Sequence, residues 1–267
     1  MGRALVTNVA WVSNPGATIT ATVAGGGSSL TISNFASTDS ANLVHLSRTG
    51  ITAGIIRLRS PKLVDNVQGI RYAAAGAGND NLLSLEALQA LYAQDTLVLE
   101  VTGGATEADG GVFTIEYTNL PGGSPTLKMP GDISGITRYV TGIEVNAAAS
   151  ASPGAWADTL VNNLYDVFIG NTDYAVLGYV CDVPVSAVAL YGTDTSSLRI
   201  GGPGLTSPLR TRSYFADLSL KLGRPCIPVF NSANKGNTHV SVADMGASTA
   251  VNVTLVCAVL SQQVTGT

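Results

Sequence analysis

Charge is what this chain has least of. Asp, Glu, Lys and Arg make up 12% of its 267 residues, where a soluble domain carries about a quarter. The net charge is −4, and the basic residues gather only as Arg57, Arg59 and Lys62 and as Arg210 with Arg212. No basic face of the kind that tracks a phosphate backbone follows from that, so sequence-specific nucleic-acid binding is not expected. A surface poor in charge also has little to hold copies apart, which points to contact with other subunits. Aromatic residues are 6%, and the only tryptophans, Trp11 and Trp156, lie far apart in sequence. A sugar cleft lined by aromatic platforms is therefore disfavoured.

Histidine is nearly absent too. His45 and His239 are the only two, and neither has an acid or a second ligand at the spacing of a catalytic triad or a zinc site. Both read as ordinary strand residues. Cys181, Cys226 and Cys257 are odd in number, sit in apolar runs and form no CxxC, so they read as small buried side chains rather than a disulfide frame. No uninterrupted apolar run approaches the ~18 residues of a spanning helix. The opening Met1-Gly2-Arg3-Ala4-Leu5-Val6 lacks the apolar core of a secretion signal, so folding in a cytosol is expected.

The motifs of known chemistry fail one by one. No serine stands in GxSxG. Gly76-Ala77-Gly78 and Gly201-Gly202-Pro203-Gly204 lack the third glycine of a dinucleotide loop, and Pro203 removes a donor that phosphate would need. Both read as loop glycines. Glu100 and Glu116 are expected to face each other across a hairpin over residues 97–117, the one pairing that resembles a glycosidase dyad. Asn79-Asp80-Asn81 is too short for a calcium loop and suits a helix cap. No catalytic, cofactor-binding or metal residue is assigned, and no cofactor is expected.

What remains is the chemistry of strands and turns. There are 30 glycines and many Ser, Thr, Asn and Ala residues. Period-two alternation marks strands over residues 4–12, 18–23, 30–32, 44–46, 54–58, 69–73, 97–101 and 112–117. It marks them again over 137–145, 174–180, 185–190, 226–230, 239–243 and 251–260. Asn14-Pro15-Gly16 and Gly25-Gly26-Gly27 are turns by composition. Helical spacing appears over 82–93, 153–168 and 213–222. Residues 120–135, with Pro121, Gly122, Gly123, Pro125, Pro130, Gly131 and Gly135, read as a connection that stops both helix and sheet.

A local pattern occurs twice. Ile70-Arg71-Tyr72, a glycine stretch, a helical run and the strand at 97–101 are echoed by Leu198-Arg199-Ile200, a glycine stretch, a helical run and the strand at 226–230. Arg71 and Arg199 each precede the glycines and are expected to play a structural role, pairing with an acid or reaching a neighbouring subunit. Strands at 8–12-residue spacing predict sandwiches or barrels, and the length admits two.

This tandem pattern, carried by residues 70–101, 198–230 and the final strand 251–260, resembles the double jelly-roll major capsid proteins of tailless icosahedral phages with an internal membrane. The resemblance implies an all-β fold of two tandem jelly-roll sandwiches, each with a short helix in a long loop. The first would span residues 1–120, a linker 121–135, and the second 136–267. It further implies a homotrimer with pseudo-hexagonal outline that tiles an icosahedral shell, and no enzymatic activity. Neighbouring capsomers, penton and minor capsid proteins and an internal membrane would be the partners, and the virion, assembled in host cytoplasm, the location. The helical run at 153–168 departs from a perfect repeat. A β-sandwich binding module, such as a spike, adhesin or carbohydrate-recognition protein, is the alternative from another class. An enzyme on a sandwich scaffold is the third and least supported, since no polar residues converge.

Overall fold

The computed structural model describes residues 3–12, 18–24, 41–49, 55–59, 70–73, 89–91, 96–102, 109–118, 125–149, 155–204, 211–244 and 250–261. Eight strands precede residue 120: β1 Arg3–Val12, β2 Thr18–Ala24, β3 Ala41–Thr49, β4 Ile55–Arg59, β5 Ile70–Ala73, β6 Gln89–Leu91, β7 Thr96–Thr102 and β8 Asp109–Thr118. A two-residue strand, β9 Leu127–Lys128, and a short helix, α1 Pro130–Ser134, follow. Eight more strands complete the chain: β10 Thr137–Ala147, β11 Trp156–Leu160, β12 Asp173–Cys181, β13 Val185–Gly192, β14 Ile200–Gly204, β15 Ile227–Asn231, β16 Thr238–Ala243 and β17 Val251–Leu260. Helix α2, Tyr214–Leu222, lies between β14 and β15. The fold is all-β, with every paired strand antiparallel.

The strands form four sheets, ordered β1-β8-β3-β6, β2-β7-β4-β5, β10-β17-β12-β15-β9 and β11-β16-β13-β14. Adding nine to each strand number in the first two orders gives the last two, with β9 as an extra edge on one of them. Even the irregularities correspond. The β3–β8 ladder shifts register between Leu43 and His45, and the β12–β17 ladder shifts between Val176 and Gly178.

Alternation explains the later core. Val251, Val253, Leu255, Cys257 and Val259 of β17 are all buried and point to one side, as a pleated strand requires. They meet Ile143, Val145, Tyr174, Val188 and Val242 in one hydrophobic cluster. Phe168 stands edge-on to Tyr174 at 5.3 Å, and Tyr174 stacks on Phe230 at 5.5 Å, inside the range at which aromatic pairs add to burial. Helix α2 buries Tyr214, Phe215, Leu218 and Ser219 and ends on Gly223, whose φ of 63° is the left-handed cap that glycine adopts without strain. All three cysteines are free and buried, as their apolar settings predict. Burial pushes the Cys181 thiol up to about 12.

Several sequence expectations change. The helical spacing at 153–168 gives way to strand β11, because polar side chains that a helix would turn to solvent are used on sheets instead. Thr159 accepts from the Ala148 N–H, Asp158 from the Ser241 hydroxyl, and the Asn163 amide takes the free edge of β10 at Asn146. Within the run at 82–93, Gln89–Leu91 is strand β6, paired with Ala41–Leu43. The rest of that run, and the strand at 30–32, lie outside the described residues. The connection at 121–135 holds β9, paired with Ile227–Pro228, and helix α1. The hairpin at 97–117 does not form, since β7 pairs with β2 and β4 while β8 pairs with β1 and β3. The repeat itself shifts by one strand: β7 at 97–101 corresponds in sheet order to β16, not to the strand at 226–230, which corresponds to β6.

Candidate functional site

Among the described residues, a seam of buried polar contacts forms where sheet β1-β8-β3-β6 meets sheet β11-β16-β13-β14. The outer face of the first carries a row of polar side chains. Thr7, Thr114 and His45 are partners across β1, β8 and β3, and all are at most 2% exposed. Buried polar groups need partners, and strand β14 supplies them through its backbone. The Thr7 N–H donates to the Arg199 carbonyl at 2.8 Å. The Thr7 hydroxyl donates to the Gly201 carbonyl at 2.8 Å, and the Gly201 N–H donates back to Thr7 Oγ1 at 3.0 Å. Thr7 has one hydroxyl proton, and Gly201 takes it. The 2.9 Å contact with Thr114 is then donated by Thr114.

Glycine is what lets the backbone come so close. A Cβ on Gly201 would lie 1.9 Å from the Val188 carbonyl oxygen, and one on Gly202 would lie 2.4 Å from the Tyr214 ring. The glycine run read from sequence as a loop is thus a fully buried strand, which corrects that reading. Valine at position 7 keeps the shape of threonine but leaves the Gly201 N–H without its acceptor, and leaves the Gly201 carbonyl only the longer 3.5 Å bond from the Thr114 hydroxyl. Thr7→Val is expected to cost about 2 kcal/mol, seen as a lower urea midpoint with unchanged slope.

Around this hinge of hydrogen bonds lie apolar and charged contacts. Val112, Ala187 and Ala243 are fully buried together, with Val9 and Trp156 packed on them. Arg199 pairs with both oxygens of Asp158, at 3.1 and 2.9 Å, and lies over the rings of Tyr191 and Trp156 at 4.4 and 5.5 Å. Its structural role is as expected. On the other side, Glu116 is 2% exposed and forms an ion pair with Arg224, the second residue after α2. The His45 ring meets Tyr214 of α2 edge-on at 5.5 Å. Burial, and secondarily the Lys221 charge, lowers its pKa to about 3, so it is a neutral imidazole at ordinary pH. Burial likewise raises the Tyr214, Tyr117 and Tyr179 hydroxyls far above their usual range. None of these groups is poised to exchange a proton near neutrality, which acid–base catalysis would need.

No protein-family model and no curated protein matches this chain. Among solved structures, the PBSX exported protein XepA is 14% identical, with 96% of this chain and 86% of that one covered and a TM-score of 0.22. The STIV MCP is 10% identical, with 98% and 99% covered and a TM-score of 0.22.

The residues singled out from sequence are scattered. His45 lies in the seam, while His239 sits half-buried on β16 with its ring 6.0 Å from Tyr191. Glu100 and Glu116 belong to different sheets, so no dyad forms. Arg57 and Arg59 lie on β4, and Arg212 is exposed at the start of the α2 segment. Lys62, Arg210, Gly76 to Gly78 and Asn79 to Asn81 lie outside the described residues. Among the described residues, no cluster of three His, Cys, Asp or Glu side chains could hold a metal, and no helix is long and apolar enough to cross a membrane. Sequence reasoning missed Thr7, Thr114, Tyr214 and Arg224. The available signal was the polar pair Thr114 and Glu116 at alternate positions within the apolar stretch Val112 to Tyr117 of β8, which marks a face covered by something other than its own core.

Proposed function

We propose that this chain is a structural shell protein, a major capsid subunit built of two tandem jelly rolls. The carrying observation is the shared strand order of the two sets of sheets, which in each set, the extra edge β9 aside, is eight strands in two four-stranded sheets. On this reading the units span residues 1–120 and 136–267, joined through 121–135. The seam joins unlike faces, the first unit's β1-β8-β3-β6 sheet to the second unit's β11-β16-β13-β14 sheet. A contact between unlike faces, repeated by rotation, closes into a ring or runs on as a filament. Six similar units from three chains close a ring with hexagonal outline, and such rings tile a shell. The low charge suits extensive subunit contact. Capsomers of the same kind, penton and minor capsid proteins and an internal membrane are the partners this role implies, in a virion assembled in host cytoplasm.

Native mass spectrometry of purified protein at micromolar concentration is expected to give a trimer, and negative-stain images a hexagonal outline. A monodisperse monomer would sink the proposal.

A further inference from the structure

The seam is held differently from the core behind it. Its middle is the polar rung Thr7, Thr114 and His45 across β1, β8 and β3. The N–H groups of Thr7 and Gly201 are both spent across it, on the Arg199 carbonyl and the Thr7 hydroxyl. Its apolar contacts are modest. Val112 packs with the methyl groups of Ala187 and Ala243, with Val9 and Trp156 at the margin, and Leu5 and Val44 reach into the larger cluster. Strand β17, by contrast, is paired on both sides and buries Val251, Val253, Leu255, Cys257 and Val259. A contact with little buried apolar surface opens at a lower free energy than a core strand does.

The groups that face His45 leave no place for a second charge. From α2 come the Tyr214 ring, edge-on at 5.5 Å, whose hydroxyl burial keeps neutral, and the Lys221 cation. The Asp217 carboxylate of that helix is exposed and accepts the Ser213 hydroxyl instead. From β8 come Thr114 on the same rung and, two residues on, Glu116, which is held by Arg224. Strand β14, Ile200–Gly204, carries no ionisable side chain. The closed seam thus sets Lys221 and Arg224 against the Glu116 carboxylate, and a proton on His45 adds a third cation in a site 2% exposed. Burial and like charge both oppose that proton. In a parted seam water solvates the ring, and its pKa returns to the ordinary 6.5. The parted form therefore takes up the proton first, so the seam is shut above about pH 6.5 and eases open as the pH falls.

We propose that the seam is an acid-operated catch: a proton taken up by His45 parts β3 and β8 from α2 and β14 while the two strand sets stay folded. The device belongs to a contact within one chain and stands whether or not that chain builds a shell. It gives acid a way to change how the two strand sets sit without unfolding either.

The test is hydrogen exchange at the Thr7 and Gly201 amides, with the β17 amides as reference, at pH 7 and pH 5. With the pH dependence of the intrinsic rate removed, Thr7 and Gly201 are expected to open roughly tenfold or more often than β17 at both values. Their opening constant is expected to rise about 25-fold from pH 7 to pH 5. In His45→Gln that rise should vanish. His45→Phe, which keeps a ring against Tyr214, is the second variant and should behave alike. Thr7 and Gly201 amides that open only together with β17 would mean that the whole chain unfolds, and the catch is overturned. The same rise in both variants as in wild type overturns it too, because another group would then be the trigger.

Discussion

Glu116→Leu is expected to lose about 3 kcal/mol of stability, the largest loss from any single seam residue considered. The carboxylate is 2% exposed, and its partner Arg224 has a side chain 22% exposed. Removing one member of a buried ion pair leaves the other desolvated, which costs about 3–5 kcal/mol. The value falls at the low end because the Arg224 guanidinium keeps some access to water. The pair joins β8 of the first strand set to the segment after α2 of the second, so the loss is charged to the seam and not to either core. Urea unfolding should show it directly, and the double variant Glu116→Leu/Arg224→Leu should recover part of the loss, since the Arg224 charge is then no longer left buried without the carboxylate. A single variant within about 1 kcal/mol of wild type, close to the ordinary worth of an exposed pair, would show that the ion pair does not hold the seam.

Much of the fold was legible because alternation is a strong signal when one face of a strand is buried. β17 was read with its observed bounds, and helix α2 was recognised from its spacing over 213–222, one residue longer than the observed Tyr214–Leu222. The failures have a common cause. Trp156, Leu160, Leu164 and Val167 satisfy helical spacing, but β16 offers Ala157 and Thr159 a ladder, and Thr159, Asp158 and Asn163 find hydrogen-bond partners that no local rule contains. Tertiary pairing overrode a local period. The shift of the repeat by one strand has the same origin. Matching strands begin 130 residues apart at Ile70 and Ile200 but 142 apart at Asp109 and Val251, so insertions hide a topology that no single offset can reveal.

The seam was hidden for a different reason. Sequence shows which residues share a strand face but not which faces meet. Gly201-Gly202-Pro203-Gly204 carries every mark of a loop, and its burial as a strand follows only from the approach of Thr7 on one side and Tyr214 on the other. His45 was read as an ordinary strand residue. It does lie on strand β3, yet its position between the two strand sets gives it a thermodynamic role.

That role is a dependence of stability on acid. His45 is neutral in the fold, with a pKa lowered from 6.5 to about 3. Desolvation is the larger cause and the Lys221 charge on α2 the smaller. Facing it are Thr114 across the β3–β8 ladder and the Tyr214 ring on α2, with Glu116 two residues along β8. Because the folded pKa is depressed, the unfolded chain binds the proton first. Stability is therefore whole above about pH 6.5 and falls as the pH drops toward 3, by at most about 1.4 kcal/mol per pH unit. From pH 7 to pH 5 the expected loss from this one residue is about 2 kcal/mol. His45→Leu removes the titration whatever it does to stability at pH 7, and the Glu116–Arg224 pair is unchanged between the two proteins. The measurement is the difference in unfolding free energy between pH 7 and pH 5 for each. Wild type should lose about 2 kcal/mol more than the variant over that interval, and equal losses would mean that His45 is not driven neutral by the seam.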